Sequence, residues 1–262
     1  MNYNQIFFRI QSYFKFLYYS KNQHGIHSPF VFALVTQCFY NNTKNEAYKT
    51  LKNIRNYLYT SHQTIYVTDF GAGSKVFKNN KRKVSAIAKN AGLSQKNSEL
   101  LFRIVAYFKP THILEIGTSV GLATVSMALA NLKTKIITLE GCPETAAVAQ
   151  NIFKEFRIEN IEITTDEFSK SLQKYSSETF DLIYFDGNHQ QEATLHYFEA
   201  LLPTITANSV WIFDDIHWSS GMEKAWEIIK NHPKVTVTID TFQWGIVFFR
   251  TEQAKEHFVV RV

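Results

Sequence analysis

The chain is poor in cysteine. Its 262 residues include two, Cys38 and Cys142, with no CxxC spacing and no histidine partner at metal-ligand spacing. That excludes a disulfide framework and a thiolate metal centre, leaving two reduced thiols in a reducing compartment as the expectation. Long apolar runs are also missing: none approaches the ~18 residues of a membrane span. The stretch MNYNQIFFRIQSYFKF sets Arg9 and Lys15 among its apolar residues and has no small-residue cleavage site, which argues against a signal peptide. A cytoplasmic protein is expected. There are no repeats and no low-complexity tracts. A hydrophobic content of 45% is enough for one sizeable core and a smaller appended module.

Acid is scarce in one part only. Residues 1–109 hold 16 Lys and Arg but 3 Asp and Glu, whereas residues 110–262 hold 12 against 20. A basic module precedes an acidic one, with the change near Pro110. The asymmetry suits an anionic partner for the first part, or a basic face docked on an acidic domain.

After Pro110 the pattern is regular. HILEI (112–116), KIITLE (135–140), NIEIT (160–164), FDLIYFD (180–186) and SVWIFDD (209–215) read as buried strands. Between and after them, 121–131, 143–156, 167–175, 189–202 and 220–231 have helical spacing. KVTVTIDT and WGIVFFR follow with no helix between them, which predicts a closing antiparallel pair. This alternation predicts an α/β fold, a mostly parallel sheet with helices on both faces. Before Pro110 the rhythm is absent. Residues 3–20, 29–40 and 94–108 read as helices, and TIYVTDF as a lone strand. The chain therefore divides into a mainly helical basic cap, 1–93, and a catalytic domain, 94–262.

Two glycine turns compete for a nucleotide-like cofactor: VTDFGAGSK (67–75) and LEIGTSVGL (114–122). Such a turn needs a helix directly after it, whose N-terminal N–H groups face the ligand, and an acid about 20 residues on at the end of the next strand. Basic KVFKNNKRK follows the first turn and makes a poor helix. LATVSMALAN follows the second, and KIITLE then ends in Glu140. The second turn is the candidate. Its spacing, Glu115-x-Gly117-x-x-x-Gly121, is not G-x-G-x-x-G, so a dinucleotide pyrophosphate is disfavoured. Glu115 suits the ammonium of a methionine-derived group, and Glu140 suits ribose hydroxyls. Together they describe S-adenosylmethionine.

On the motifs ILEIGTSVGLAT, ITLEGCPE, FDLIYFDGNH and VWIFDDIHW, residues 94–250 resemble the class I S-adenosylmethionine-dependent methyltransferases. Within them the stretch is most similar to the small-molecule O-methyltransferases of the catechol and caffeoyl-CoA type and their bacterial relatives. The resemblance implies a Rossmann-like seven-stranded sheet with the last strand antiparallel. The donor-binding set is read as Glu115, Gly117, Thr118, Ser119, Gly121 and Glu140, with Asp166 placed to meet the adenine amine.

Two acidic clusters end strands, Asp186 in DGNH and Asp214-Asp215 in DDIH. Three carboxylates in one cleft repel one another unless a cation neutralises them, and oxygen ligation suits Mg²⁺ or another divalent ion. The resemblance implies the same three positions as metal ligands. It also places a general-base lysine three residues after the first Asp, and here that position is His189. His189 is thus read as base or metal ligand beside Asp186. Asp215 has the alternative of a helix N-cap, and His217 beside Trp218 is read as a packing or substrate-lining residue rather than a ligand. No N-P-P-Y or D-P-P-Y stretch occurs, which favours an oxygen acceptor over a nitrogen.

The acceptor is expected to be a hydroxylated small molecule, with an anionic one among the options; catechols, glycosyl hydroxyls and lipid-linked phenols stay open. DFGAGS reads as a lid whose N–H groups meet an anionic part of the acceptor, or as a tight turn. His24 and His27 of HGIHSPF line the acceptor pocket or are structural, the latter preferred. Residues 3–20 interleave Phe and Ile with Arg9, Lys15 and Lys21, as on a membrane surface, though docking on the catalytic domain or in a homodimer is preferred. No DNA partner is expected. An RNA methyltransferase gripping nucleic acid with the basic module, or a non-catalytic protein that keeps the fold, are the alternatives.

Overall fold

The computed structural model describes residues 3–68 and 79–262, so the DFGAGS turn lies outside the described residues. Three helices open the chain: α1 (Tyr3–Tyr19), α2 (Pro29–Leu34) and α3 (Ala47–Thr60). The strands β1 (Thr64–Tyr66) and β2 (Lys81–Lys83) pair antiparallel, and α4 (Val84–Asn90) and α5 (Gln95–Phe108) follow. Strands and helices then alternate through β3 (His112–Ile116), α6 (Leu122–Ala130), β4 (Lys135–Glu140), α7 (Pro143–Glu155) and β5 (Ile161–Thr165). The alternation continues through α8 (Phe168–Tyr175), β6 (Leu182–Phe185), α9 (Gln191–Leu201), β7 (Val210–Asp214) and α10 (Ser220–Asn231). Three strands close the chain: β8 (Val237–Asp240), β9 (Trp244–Phe248) and β10 (Glu256–Val259).

The helix boundaries follow local chemistry. Ser28 caps α2 ahead of Pro29, and Ser94 and Ser219 cap α5 and α10 by accepting from Asn97 and Met222 N–H. The strands from β3 onward form one sheet in the order β10-β8-β9-β7-β6-β3-β4-β5. β9 runs antiparallel to both its neighbours, while β10 is parallel to β8. The seven strands read from the sequence are all present. The eighth, β10, is a short edge strand whose half-exposed residues give little periodic signal.

Successive residues of the central strands feed opposite faces. Ile113, Ile136, Tyr184 and Ile212 face one hydrophobic cluster, and Leu114, Ile137, Phe185 and Phe213 the other. The first cluster also takes in Leu34, Leu51, Ile54 and Ile87, so α2, α3 and α4 share a core with the sheet. Polar ties add to this. Lys21 N–H donates to the Val259 carbonyl at 2.8 Å. Arg103 donates to the carbonyls of Cys38 and Phe39 at 3.0 and 3.2 Å, where the chain widens into a π-helical turn and leaves acceptors free. Both cysteines are free and buried. No described helix is long and apolar enough to cross a membrane.

β3 pairs with β4 on one side and β6 on the other, so the chain order reverses there. A ligand crevice is expected at the carboxyl ends of strands flanking such a reversal.

Candidate active site

Eight described residues outside ordinary backbone space have positive φ. Six of them, Gly117, Ser119, Gly121, Asn188, Asp215 and Phe242, sit in turns at this end of the sheet. Strained turns concentrated at one edge mark it as a built site.

On the β3–β4 side the turn is shaped by backbone. Gly117 has φ +102°, and a Cβ there would lie 2.7 Å from the Asp186 carbonyl oxygen. Only glycine lets the two strand ends approach so closely. Gly121 has φ +85°, begins α6, and would push a Cβ to 2.8 Å from the Phe153 ring. Glu140 ties this turn to the next helix. One carboxylate oxygen accepts from Ser119 N–H at 2.8 Å and the other from Cys142 N–H at 2.9 Å.

Glu115 is fully buried beneath the turn. Its Oε2 accepts from the hydroxyls of Thr124 at 2.5 Å and Thr138 at 2.6 Å. With Thr138 donating to Glu115, the Thr118 hydroxyl, 2.6 Å away, is left to donate to Thr138. Oε1 has no hydrogen-bond partner among the described residues. Burial pushes the carboxyl up to about 8, and the two threonine donors pull it back only in part. A buried acceptor without a donor is costly, so this atom suits a ligand that brings one.

Asp166 N–H donates to the Glu140 carbonyl at 3.2 Å, which brings the third strand end beside the second. Its carboxylate accepts from Glu167 N–H at 2.8 Å. A cavity of about 310 Å³ opens alongside, lined by Gly141, Phe168, Asn188 and Tyr197.

On the β6–β7 side carboxyls meet carboxyls. The carboxyls of Asp186 and Asp214 face each other closely enough that Asp214 raises the affinity of Asp186 for a proton. Burial and the Asp214 charge push Asp186 well above the usual carboxylate range, and burial and the Asp215 charge push Asp214 up to about 6. Gln243 Nε2 bridges the adjacent pair, donating to Asp214 at 2.7 Å and Asp215 at 2.9 Å. Asp215 caps no helix, since α10 starts at Ser220 behind Ser219. His189 Nε2 lies 3.6 Å from Asp186 Oδ1. Among the described residues no group of three or more His, Cys, Asp or Glu is placed to hold a metal. The Gln243 amide offsets part of the repulsion among the three acids.

His217 is not free to act on a ligand. Its Nδ1 meets Glu223 at 2.7 Å and its Nε2 meets Asp240 at 2.8 Å. Burial disfavours its charge, yet the hydrogen bonds to Asp240 and Glu223 outweigh it and push the imidazole up to about 9. The ring stacks on Phe242 at 5.1 Å.

His24 and His27 are exposed, and Phe30 just after them packs on Phe248 and Arg250. Phe248 pairs with Val210, the first residue of β7, so this segment sits at the end of the sheet opposite the crevice. Thr124, Thr138 and Gln243 were missed in the sequence. Thr138 carried a signal, a hydroxyl in the strand register directly opposite Glu115.

Residues 114–216 match a family model described as a methyltransferase domain. Among solved structures, the chain is similar to an O-methyltransferase from Bacillus cereus in complex with SAH. The identity is 18%, over 80% of this chain and 92% of that one, with a TM-score of 0.56. It is similar to the O-methyltransferase TomG from Streptomyces achromogenes, in complex with SAM, at 14% identity over 79% and 91%, TM-score 0.56. An SAH-bound methyltransferase from Podospora anserina matches at 15% identity over 80% and 99%, TM-score 0.56. At these identities the likeness is one of fold: the chain has the class I methyltransferase architecture.

Proposed function

We propose that this chain, built on the class I methyltransferase fold, transfers a methyl group from S-adenosylmethionine to a hydroxyl oxygen of a small acceptor. The observation that carries this reading is Glu115. It is a buried carboxyl under a glycine turn, with one oxygen held by two threonines and the other without a donor. A methionine-type ammonium supplies the missing donor. Glu140 at the end of β4 is placed for ribose hydroxyls, and the cavity beside Asp166 for the purine. Gly117, Thr118, Ser119 and Gly121 form the wall between them. In this reading residues 94–262 hold the donor and residues 1–93 form a cap.

The bound donor supplies a methyl group already activated on a sulfonium. The chain's own tasks are then to position the acceptor and remove its proton. Holding two reactants in attack geometry is worth ~7–11 kcal/mol. His189 beside Asp186 is the base that accepts the hydroxyl proton, with Asp186 orienting its ring. Asp186, Asp214 and Asp215 are the carboxylates that would hold a divalent ion, which would bind the acceptor oxygen and lower its pKa.

Calorimetric titration with S-adenosylhomocysteine, with and without Mg²⁺, tests the donor site. Binding in both conditions that Glu140→Ala abolishes is the expected result. No binding in either condition overturns the reading. A methyl-transfer screen over hydroxylated compounds, with His189→Ala as control, tests the base; full turnover in that variant removes the assignment.

A further inference from the structure

Helix α1 presents apolar residues on two faces, and only one of them is covered. The covered stripe lies on the loop after β7 and the turn after β8. Ser12 and Phe16 are buried, Arg9 stacks over the Trp218 ring at 4.7 Å, and Phe16 meets Phe242 at 5.5 Å. Tyr13 lies on the border, edge-on to Phe242 at 4.9 Å. The helix is thus fixed on the molecule. The remaining face carries Ile6, Phe7, Ile10, Phe14 and Tyr18, and Phe7, Phe14 and Tyr18 are 62%, 66% and 83% exposed. At 100° per residue these five, with Tyr13, span a continuous arc of roughly 140°. An apolar surface this contiguous marks an interaction site rather than scattered exposure.

We propose that this face of α1 docks on an anionic lipid surface. Charge chooses the occupant. Residues 1–45 contain no Asp or Glu, while Lys15 and Lys21 lie in or next to the helix and Arg9 is held on its covered stripe. A second copy would meet the face isologously, bringing together two segments that carry cations and no carboxylate to pair them. Anionic headgroups supply the missing negative charge, and Phe and Tyr side chains suit the boundary between headgroups and acyl chains. The helix lies flat in this arrangement, since it is too short and too polar to span. Its covered stripe rests on the loop that follows Asp214 and Asp215. The inference concerns binding alone and stands whether or not the methyl-transfer reading holds.

Vesicle flotation of the full chain tests it, comparing pure phosphatidylcholine with phosphatidylcholine containing phosphatidylglycerol. Partition onto the anionic vesicles, weakened by salt, is expected. Phe7→Ser with Phe14→Ser should lower the partition constant by about tenfold per ring, with the thermal melt unchanged because both rings are exposed. Lys15→Gln with Lys21→Gln should weaken only the anionic binding. No partition on either vesicle, or equal partition of the Phe7→Ser/Phe14→Ser variant and the native chain, overturns the proposal. So does a dimer in sedimentation that the phenylalanine variant dissolves while the native chain ignores vesicles, since that assigns the face to a second copy.

Discussion

On the β3–β4 side of the crevice, three of the four carboxylate oxygens of Glu115 and Glu140 are met by threonine hydroxyls or backbone N–H groups. On the β6–β7 side, Asp186 meets Asp214, and a single Gln243 amide serves both Asp214 and Asp215. The first side is rigid and has one deliberate vacancy, the Oε1 of Glu115. The second holds carboxyls that burial pushes toward protonation, beside His189. Selecting a ligand calls for the former and exchanging a proton with an acceptor calls for the latter, so one crevice divides two tasks between its walls.

The largest expected effect tests the rigid wall. Glu115 has a folded value of about 8 against 4.5 as a model value. Its proton is therefore retained on folding, and between these values the unfolded chain releases it while the folded chain does not. Stability should fall as pH rises from about 4.5 to about 8, by on the order of 5 kcal/mol at most. Glu115→Gln should flatten that slope in denaturant melts, leaving the free protein more stable than the native chain at pH 8. The same variant should bind S-adenosylhomocysteine more weakly. A variant with the native slope would show that the vacancy is not what burial makes it.

Gly117→Ala comes next and joins the two walls. The added Cβ would press on the Asp186 carbonyl at a φ that L residues rarely adopt. Affinity for S-adenosylhomocysteine should drop by about 100-fold or more, read by calorimetry, and the thermal melt should fall as well. An unchanged affinity would separate the walls.

The two walls also differ in what the sequence reveals. Glu115, Gly117, Gly121 and Glu140 obey a spacing that one strand, one turn and the next strand impose, so a local reading finds them. The same holds for the strand-ending acids Asp186, Asp214 and Asp215. The partners of those acids come from elsewhere. Gln243 reaches them from the turn between β8 and β9, which is adjacent only because β9 folds back against β7. His217 read as a packing or substrate-lining residue beside Trp218, and its two carboxylates, Glu223 and Asp240, arrive from α10 and the end of β8. Nothing in the DDIHW stretch encodes that meeting. β10 escaped notice because its pairing with β8 gives it an order that its own sequence does not.

His217 gives a smaller effect on the second wall. Its imidazole is raised from 6.5 to about 9 by Asp240 and Glu223 against the opposing effect of burial. The stability it contributes is fully present below 6.5 and is lost as pH rises through about 9, on the order of 3 kcal/mol in all. His217→Gln should remove that decline from pH-dependent melts, at a lower stability in mild acid. Because the Glu115 window starts lower and overlaps that of His217 between about 6.5 and 8, the native chain should show one broad decline, and the two variants should remove its lower and upper parts respectively.

Gln243→Ala should give the smallest change and the sharpest division between the walls. The amide favours the ionised form of Asp214, so its loss should raise Asp214 above about 6. The acid limb of kcat/KM should then move to higher pH by about one unit, which near neutral pH reads as up to about a tenfold loss that alkaline pH restores. Calorimetric affinity for S-adenosylhomocysteine should stay within about twofold, since Gln243 touches neither Glu115 nor Glu140. A fall in donor affinity as large as the fall in rate would mean that these acids also shape the donor wall, and the division of labour between the two sides of the crevice would not hold.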